Sequence, residues 1–154
     1  VSGKTVGSTT GSDSFKNVEN VIGSLFADNI TGNSAVNSFT GNGGPDTFFF
    51  LNKQTFGAAS SDKITDFSSD DKIVLSRAAF GIPATAALTC VSVSGTTALN
   101  TALSSANLFV YDSSTGNIYW NQNGTTAGVG TGGILAVLSN RFATFSAANL
   151  GLVA

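Results

Sequence analysis

The chain has 154 residues and a net charge of −2, with 42% hydrophobic, 10% aromatic and 10% charged residues. That length suits one domain with a sizeable core, while the charge gives no basic footprint for nucleic acid or for an anionic membrane surface. There is no histidine, which removes the commonest general base and transition-metal ligand, and no apolar run of roughly eighteen residues to support membrane insertion.

Residues 1–13 are rich in Gly, Ser and Thr and read as a polar linker. The chain begins Val1-Ser2-Gly3, without an initiating Met or a charged-then-apolar leader, and is expected to be a fragment or a processed product. From Ser14 apolar positions appear at Phe15, Val18, Val21 and Ile22, and they lead into a nine-residue unit repeated in register. Gly23, Gly32 and Gly41 open successive units; Asp28, Asn37 and Asp46 follow five residues later, and Ile30, Phe39 and Phe48 two residues after those. Glu19 and Val21 fit a partial unit before them. So short a unit cannot bury an apolar face alone, so the units are expected to stack in a parallel solenoid. Val21, Ile30, Phe39 and Phe48 would then form one internal stack, with the glycines and Asp/Asn residues in the turns.

After the repeats, Thr47 to Leu51 reads as a strand that must be covered. In the segment 62–76, Ile64, Phe67, Ile73 and Leu75 are inward positions around a turn at Ser68 to Asp71. Five of the nine acidic residues lie between Asp46 and Asp71. Hard oxygen ligands gathered after a glycine turn suit Ca²⁺; equally, these carboxylates fit ion pairs with Lys63 and Lys72 on a solvated face.

A brief helix is expected over Arg77–Phe80, stopped by Gly81 and Pro83. A strand within 84–94 and a short helix within 96–105 follow. Leu108–Tyr111 and Asn117–Trp120 read as a hairpin with Gly116 at its turn, and Gly133–Leu138 as another strand. Between them Gly128, Gly130, Gly132 and Gly133 cluster without a G-K-[ST] end or a nearby cation, which argues against nucleotide binding. Cys90 is the single cysteine and reads as a small buried hydrophobe. From Ala78 to Ala154 the only charged side chains are Asp112 and Arg141. An entire chain with 10% charged residues is well below the usual ~25%.

The nonapeptide register resembles the RTX repeat G-G-x-G-x-D-x-U-x, and Gly41-Asn42-Gly43-Gly44-Pro45-Asp46-Thr47-Phe48-Phe49 fits it best. The units at Gly23 and Gly32 lack the further glycines, and Asn37 has an amide where the family has a carboxylate. Residues 62–76 look like the segment that follows the repeats in serralysin-type and other RTX proteins. Residues 108–124 resemble the L-F-x-Y-D-x-x-T-G-x-L-Y-x-D-x-N-G module of RTX C-termini, with Asn121 in place of the acid, and the apolar end from Phe142 resembles an uncleaved type I secretion signal.

The resemblance implies an all-β fold: a short parallel β-roll of degenerate repeats at 14–51 and a β-rich cap with minor helix at 52–154, continuous as one structural domain. It implies Ca²⁺ as cofactor, held by Asp28 and by Gly41, Gly43 and Asp46, with Asp62 and Asp66 completing a site against the last repeat. A metal-free roll held by its apolar ladder, with Asp and Asn shaping the turns, is the competing reading. The implied function is a non-catalytic, secreted C-terminal module that supports folding and type I export of a larger protein. The alternative is a self-assembling filament or surface-layer subunit, with homo-oligomer contacts through the low-charge C-terminal half and free strand edges at Leu108–Tyr111 and Tyr119-Trp120. A serralysin-type protease would need an H-E-x-x-H helix, which a chain without histidine does not have.

Overall fold

The computed structural model describes residues 3–4, 18–53, 56–57 and 59–154, and in it the chain is mostly β with few helices. The repeats build two sheets at once. Strands β2 (Asn20–Ile22), β4 (Ser38–Thr40) and β6 (Asp62–Ile64) pair in parallel in one sheet; β3 (Asn29–Thr31), β5 (Thr47–Phe50) and β7 (Lys72–Ser76) pair in parallel in the other. Val21 is in register with Phe39 and Phe39 with Ile64; Ile30 is in register with Phe48 and Phe48 with Ile73.

This corrects the single nine-residue stack. Each unit is a short strand plus a turn that reverses the chain, so neighbouring units run in opposite directions and cannot pair in parallel with each other. Parallel pairing skips one unit, and the structural period is two units. The two ladders meet across the core, where the Phe39 and Phe48 rings lie 6.0 Å apart. Ile30, Phe39, Phe48, Ile64 and Ile73 are all buried, and their burial is the main force holding strands this short.

The expected linker contains a described strand, β1 (Gly3–Lys4), which extends the first sheet by pairing in parallel with Val21–Ile22. The Phe15 position and the rest of 5–17 lie outside the described residues. After β7, Ser76 caps the helix α1 (Arg77–Phe80), which ends at Gly81 in a left-handed conformation. Strand β8 (Cys90–Val93), helix α2 (Thr96–Ala102) and strand β9 (Phe109–Asp112) make a parallel crossover. Strands β9 and β10 (Asn117–Trp120) form the expected hairpin, and Gly116 takes φ 82 at its turn. Strand β11 (Gly133–Leu138) joins β10 to β6, which fuses the C-terminal hairpin to the repeat sheet in the order β1-β2-β4-β6-β11-β10-β9-β8. A 3-10 turn at Ala147–Asn149 leads into β12 (Leu150–Val153), and the second sheet runs β12-β7-β5-β3.

Leu108–Tyr111 and Tyr119-Trp120 are therefore not free edges. Strand β9 is buried throughout and flanked by β8 and β10, and β10 is flanked by β9 and β11. The edge of that sheet is β8, where Cys90 is half-buried and burial pushes its thiol up to about 12. Among the described residues no helix is long and apolar enough to cross a membrane.

Candidate metal centre

The two-sheet winding places successive turns on alternating edges of the molecule. A short sequence rule locates them: an acid or amide two residues before an inward apolar side chain. Glu19, Asp28, Asn37, Asp46, Asp62 and Asp71 stand two residues before Val21, Ile30, Phe39, Phe48, Ile64 and Ile73. The odd members fall on one edge and the even members on the other. Backbone bonds link each to the next on its own edge: Ser38 N–H donates to Glu19 O and Lys63 N–H to Asn37 O, while Thr47 N–H donates to Asp28 O and Lys72 N–H to Asp46 O.

Side chains reinforce this spine. Asp28 N–H donates to Asp46 Oδ1 (2.9 Å), and Asp46 N–H donates to Asp71 Oδ1 (2.9 Å). On the other edge Asn37 N–H donates to Asp62 Oδ1 (2.7 Å). Three of these side chains also close the turns before them. Asp28 Oδ2 accepts from Ser24 N–H (2.5 Å), Asn37 Oδ1 from Asn33 N–H (2.9 Å) and Asp71 Oδ2 from Ser68 N–H (2.7 Å). This folding-back explains the glycine five residues earlier. A Cβ on Gly23 would lie 2.6 Å from Asp28 Oδ2, one on Gly32 2.5 Å from Asn37 Oδ1, and one on Gly41 2.1 Å from Asp46 Oδ2.

The expected ligands divide between the edges. Asp28, Gly41, Gly43, Asp46 and Asp66 share one edge. Asp66 closes the Gly41 turn, accepting from Gly41 N–H at Oδ1 (2.9 Å) and Asn42 N–H at Oδ2 (2.8 Å). Asp62 does not join them, because it begins a strand of the first sheet and belongs to the opposite edge with Asn37. Two further groups complete the first edge. Asp71, buried, is the third member of its carboxylate column. Gly44, with φ +92, lets its turn lie against Phe26 and Ala27, where a Cβ would come within 2.6 Å of Phe26 backbone. Gly43 is under no such constraint, its nearest neighbour being 3.7 Å away.

Asp46 carries the electrostatic consequence. It is 2% exposed, and burial pushes its carboxyl up from 3.8 to about 6; the bond from Asp28 N–H opposes that rise, and the charges of Asp71, Asp28 and Asp66 add to it. The lysine pairing finds little support at Lys72, whose Nζ donates to Ala148 O (2.7 Å). The column ends at Asn149, whose Nδ2 donates to Ser69 O and Asp71 O (both 3.2 Å).

The side chains of this edge offer oxygen donors, the type a hard cation takes. Among the described residues no three Asp, Glu or Cys side chains form a metal cage, so an ion on this edge would draw at most two carboxylates at a time. Its remaining ligands would come from carbonyl oxygens of the Gly41 and Gly23 turns, a neutral-oxygen share that calcium accepts. Asp28, Asp46, Asp66 and Asp71 each already accept from backbone N–H groups, so an ion would share these oxygens with the turns. Compared with known protein-family models, curated proteins and solved structures, the chain matches none.

Proposed function

We propose that the chain is a non-catalytic, calcium-responsive folding module of β-roll type, working outside the cell at the C-terminal end of a larger exported protein. The observation that carries this reading is the column Asp28–Asp46–Asp71 with Asp66 beside it: burial pushes the Asp46 carboxyl up to about 6, and the charges of its neighbours add to the rise. Stacked carboxylates of this kind disfavour folding when calcium is scarce. Calcium, when bound, supplies the opposing charge. Asp28 and Asp46 would face it, while their bonds to Ser24 and Asp28 N–H keep both turns in register. The type I export machinery is the proposed partner of the apolar end from Phe142, on the resemblance alone.

A non-catalytic role is supported by the side chains available. A cleft of about 390 Å³ between α1 and β10 is lined by Lys53, Phe80, Pro83, Leu108, Trp120 and Gln122 among others, with no carboxylate among the described residues of its wall. With no histidine in the chain, it offers no acid and base pair.

Calorimetric titration of chelated protein with calcium, alongside thermal melts, tests the proposal. Heat of binding and a rise in melting temperature, both reduced in Asp28→Asn, are expected; no heat and superimposable melts would sink it. A second reading, self-assembly, gains one specific support: β8 is an edge strand of sequence Cys-Val-Ser-Val without a lysine or proline guard. Light scattering across a concentration series decides it, since a strict monomer at the highest concentration reached excludes assembly through β8.

A further inference from the structure

Directly after β10, the Asn121 side chain lies in a pocket made of backbone oxygen. It is 2% exposed, and its Nδ2 donates to three carbonyls from two separate loops: Ser105 O (3.0 Å), Asn107 O (3.1 Å) and Gly124 O (3.0 Å). An amide nitrogen has two protons, so three acceptors exceed what it can satisfy. Asn121 Oδ1 is buried without a hydrogen-bond partner, and so is Oδ1 of nearby Asn123. Inward-facing carbonyls around one electropositive atom, on a side chain whose own oxygen is unpartnered, is an arrangement suited to a cation rather than to an amide.

We infer that this loop is a cation-type oxygen cage in which the Asn121 amide nitrogen takes the place of the ion. The nitrogen joins the connection after α2, through Ser105 and Asn107, to the loop after β10, through Gly124. Those segments flank β9, which the Asn121 N–H also anchors by donating to Leu108 O (2.9 Å). The C-terminal hairpin is thereby closed without metal, whether or not the repeat turns bind calcium. One substitution should convert the cage. With aspartate at this position, the carboxylate and the three carbonyls supply most of the six to eight oxygens calcium takes, water completing the shell, while without calcium the carboxylate faces only acceptors.

The test compares wild type, Asn121→Asp and Asn121→Leu, each with chelator and with millimolar calcium. Trp120, the single tryptophan and 3% exposed, adjoins the cage and reports on it by fluorescence. In chelator, Asn121→Asp is expected to melt about 10 °C or more below wild type. Calcium should recover more than half of that loss, beyond any gain the wild type itself shows, and terbium emission sensitised by Trp120 should appear in Asn121→Asp and not in wild type. Asn121→Leu, which lacks both donors and carboxylate, should be destabilised with no recovery. Equal, calcium-insensitive losses in both variants would overturn the inference, as would an unperturbed Asn121→Asp. If Asn121→Asp folds in neither condition, exchange of the wild-type Asn121 side-chain amide protons decides: slow exchange supports the cage and exchange at the free-amide rate overturns it. Failure of the repeat turns to bind calcium leaves these differences between variants unchanged, so the two proposals fail separately.

Discussion

Replacing Asp46 by asparagine should stabilise the protein in chelator and destabilise it in calcium. The carboxyl is raised from 3.8 to about 6, and at about 1.4 kcal/mol per pH unit this amounts to at most roughly 3 kcal/mol of penalty on the charged folded form. Asparagine removes the charge and keeps an oxygen to accept from Asp28 N–H. It also introduces a buried N–H₂. In the equivalent turn on the other edge Asn37 Nδ2 donates to Val18 O (3.3 Å), so part of that cost is recoverable, and the net gain is expected to be about 1–2 kcal/mol. For a chain of this size that is roughly 3–6 °C in melting temperature.

The pH dependence fixes the cause. Because the folded value lies above the unfolded one, Asp46 contributes most stability below about 3.8 and loses that contribution as pH rises through about 6. Wild type should therefore fall behind Asp46→Asn at pH 7 in chelator and draw level by about pH 4. In calcium at pH 7 the order should reverse, since the variant lacks a ligand and wild type gains the binding free energy. Urea titrations under the three conditions measure all of this. A variant less stable than wild type by the same amount at both pH values in chelator would refute the reasoning, leaving Asp46 as a hydrogen-bond acceptor whose charge carries no penalty.

Gly41→Ala should cost roughly 1–3 kcal/mol, because its Cβ would meet Asp46 Oδ2 at 2.1 Å, whereas Gly43→Ala, with 3.7 Å of room, should stay within about 0.5 kcal/mol; chemical denaturation separates them. At the hairpin, burial would raise the Asp112 carboxyl, but bonds from Ser114 Oγ and N–H, Thr115 Oγ1 and Gly95 N–H outweigh it and hold the group below 3.8. Its stabilisation is present above that value and lost as pH falls through the lowered one, so an acid-unfolding step should be weaker in Asp112→Asn than in wild type. Asn37→Asp should place carboxylates in succession on the second edge with Asp62, lowering the melting temperature in chelator and enlarging the calcium response beyond that of wild type.

Much of the architecture was legible because short-range sterics wrote it. The glycines stand five residues before Asp28, Asn37 and Asp46 because those side chains fill the space a Cβ would take. The helix at Arg77–Phe80 carries its stop at Gly81, and the hairpin carries its turn at Gly116. What sequence spacing hid was parity. A nine-residue repeat is consistent with one stack or with two alternating ladders, and only the chain reversal within each unit selects two. The resemblance implies Asp62 beside Gly41 and Asp46, yet the connection between β5 and β6 takes the place of one whole turn and carries Asp62 to the other edge. Spacing does not single out Asp71, because the insertion between β5 and β6 breaks the nine-residue register: its offset to Asp46 is 25, where Asp46 to Asp28 is 18. The acid-x-apolar rule, applied alternately, assigns both residues correctly.

The same comparison explains why the metal is hard to read from such a chain. An Asp or Asn at the end of each turn is sufficient to accept the turn's N–H and to lock the next coil, and both edges use it: Asn37 bonds Asn33 N–H as Asp28 bonds Ser24 N–H. The motif therefore persists wherever the backbone needs closing, with or without an ion. Charge distinguishes the two roles. The edge with Asn37 between Glu19 and Asp62 has a neutral centre and gains only the lock. The edge with Asp28, Asp46 and Asp71 keeps three carboxylates in succession where asparagine would close the turns at lower electrostatic cost. Retaining that repulsion on one edge and relieving it on the other is the asymmetry for which a cation supplies a physical reason.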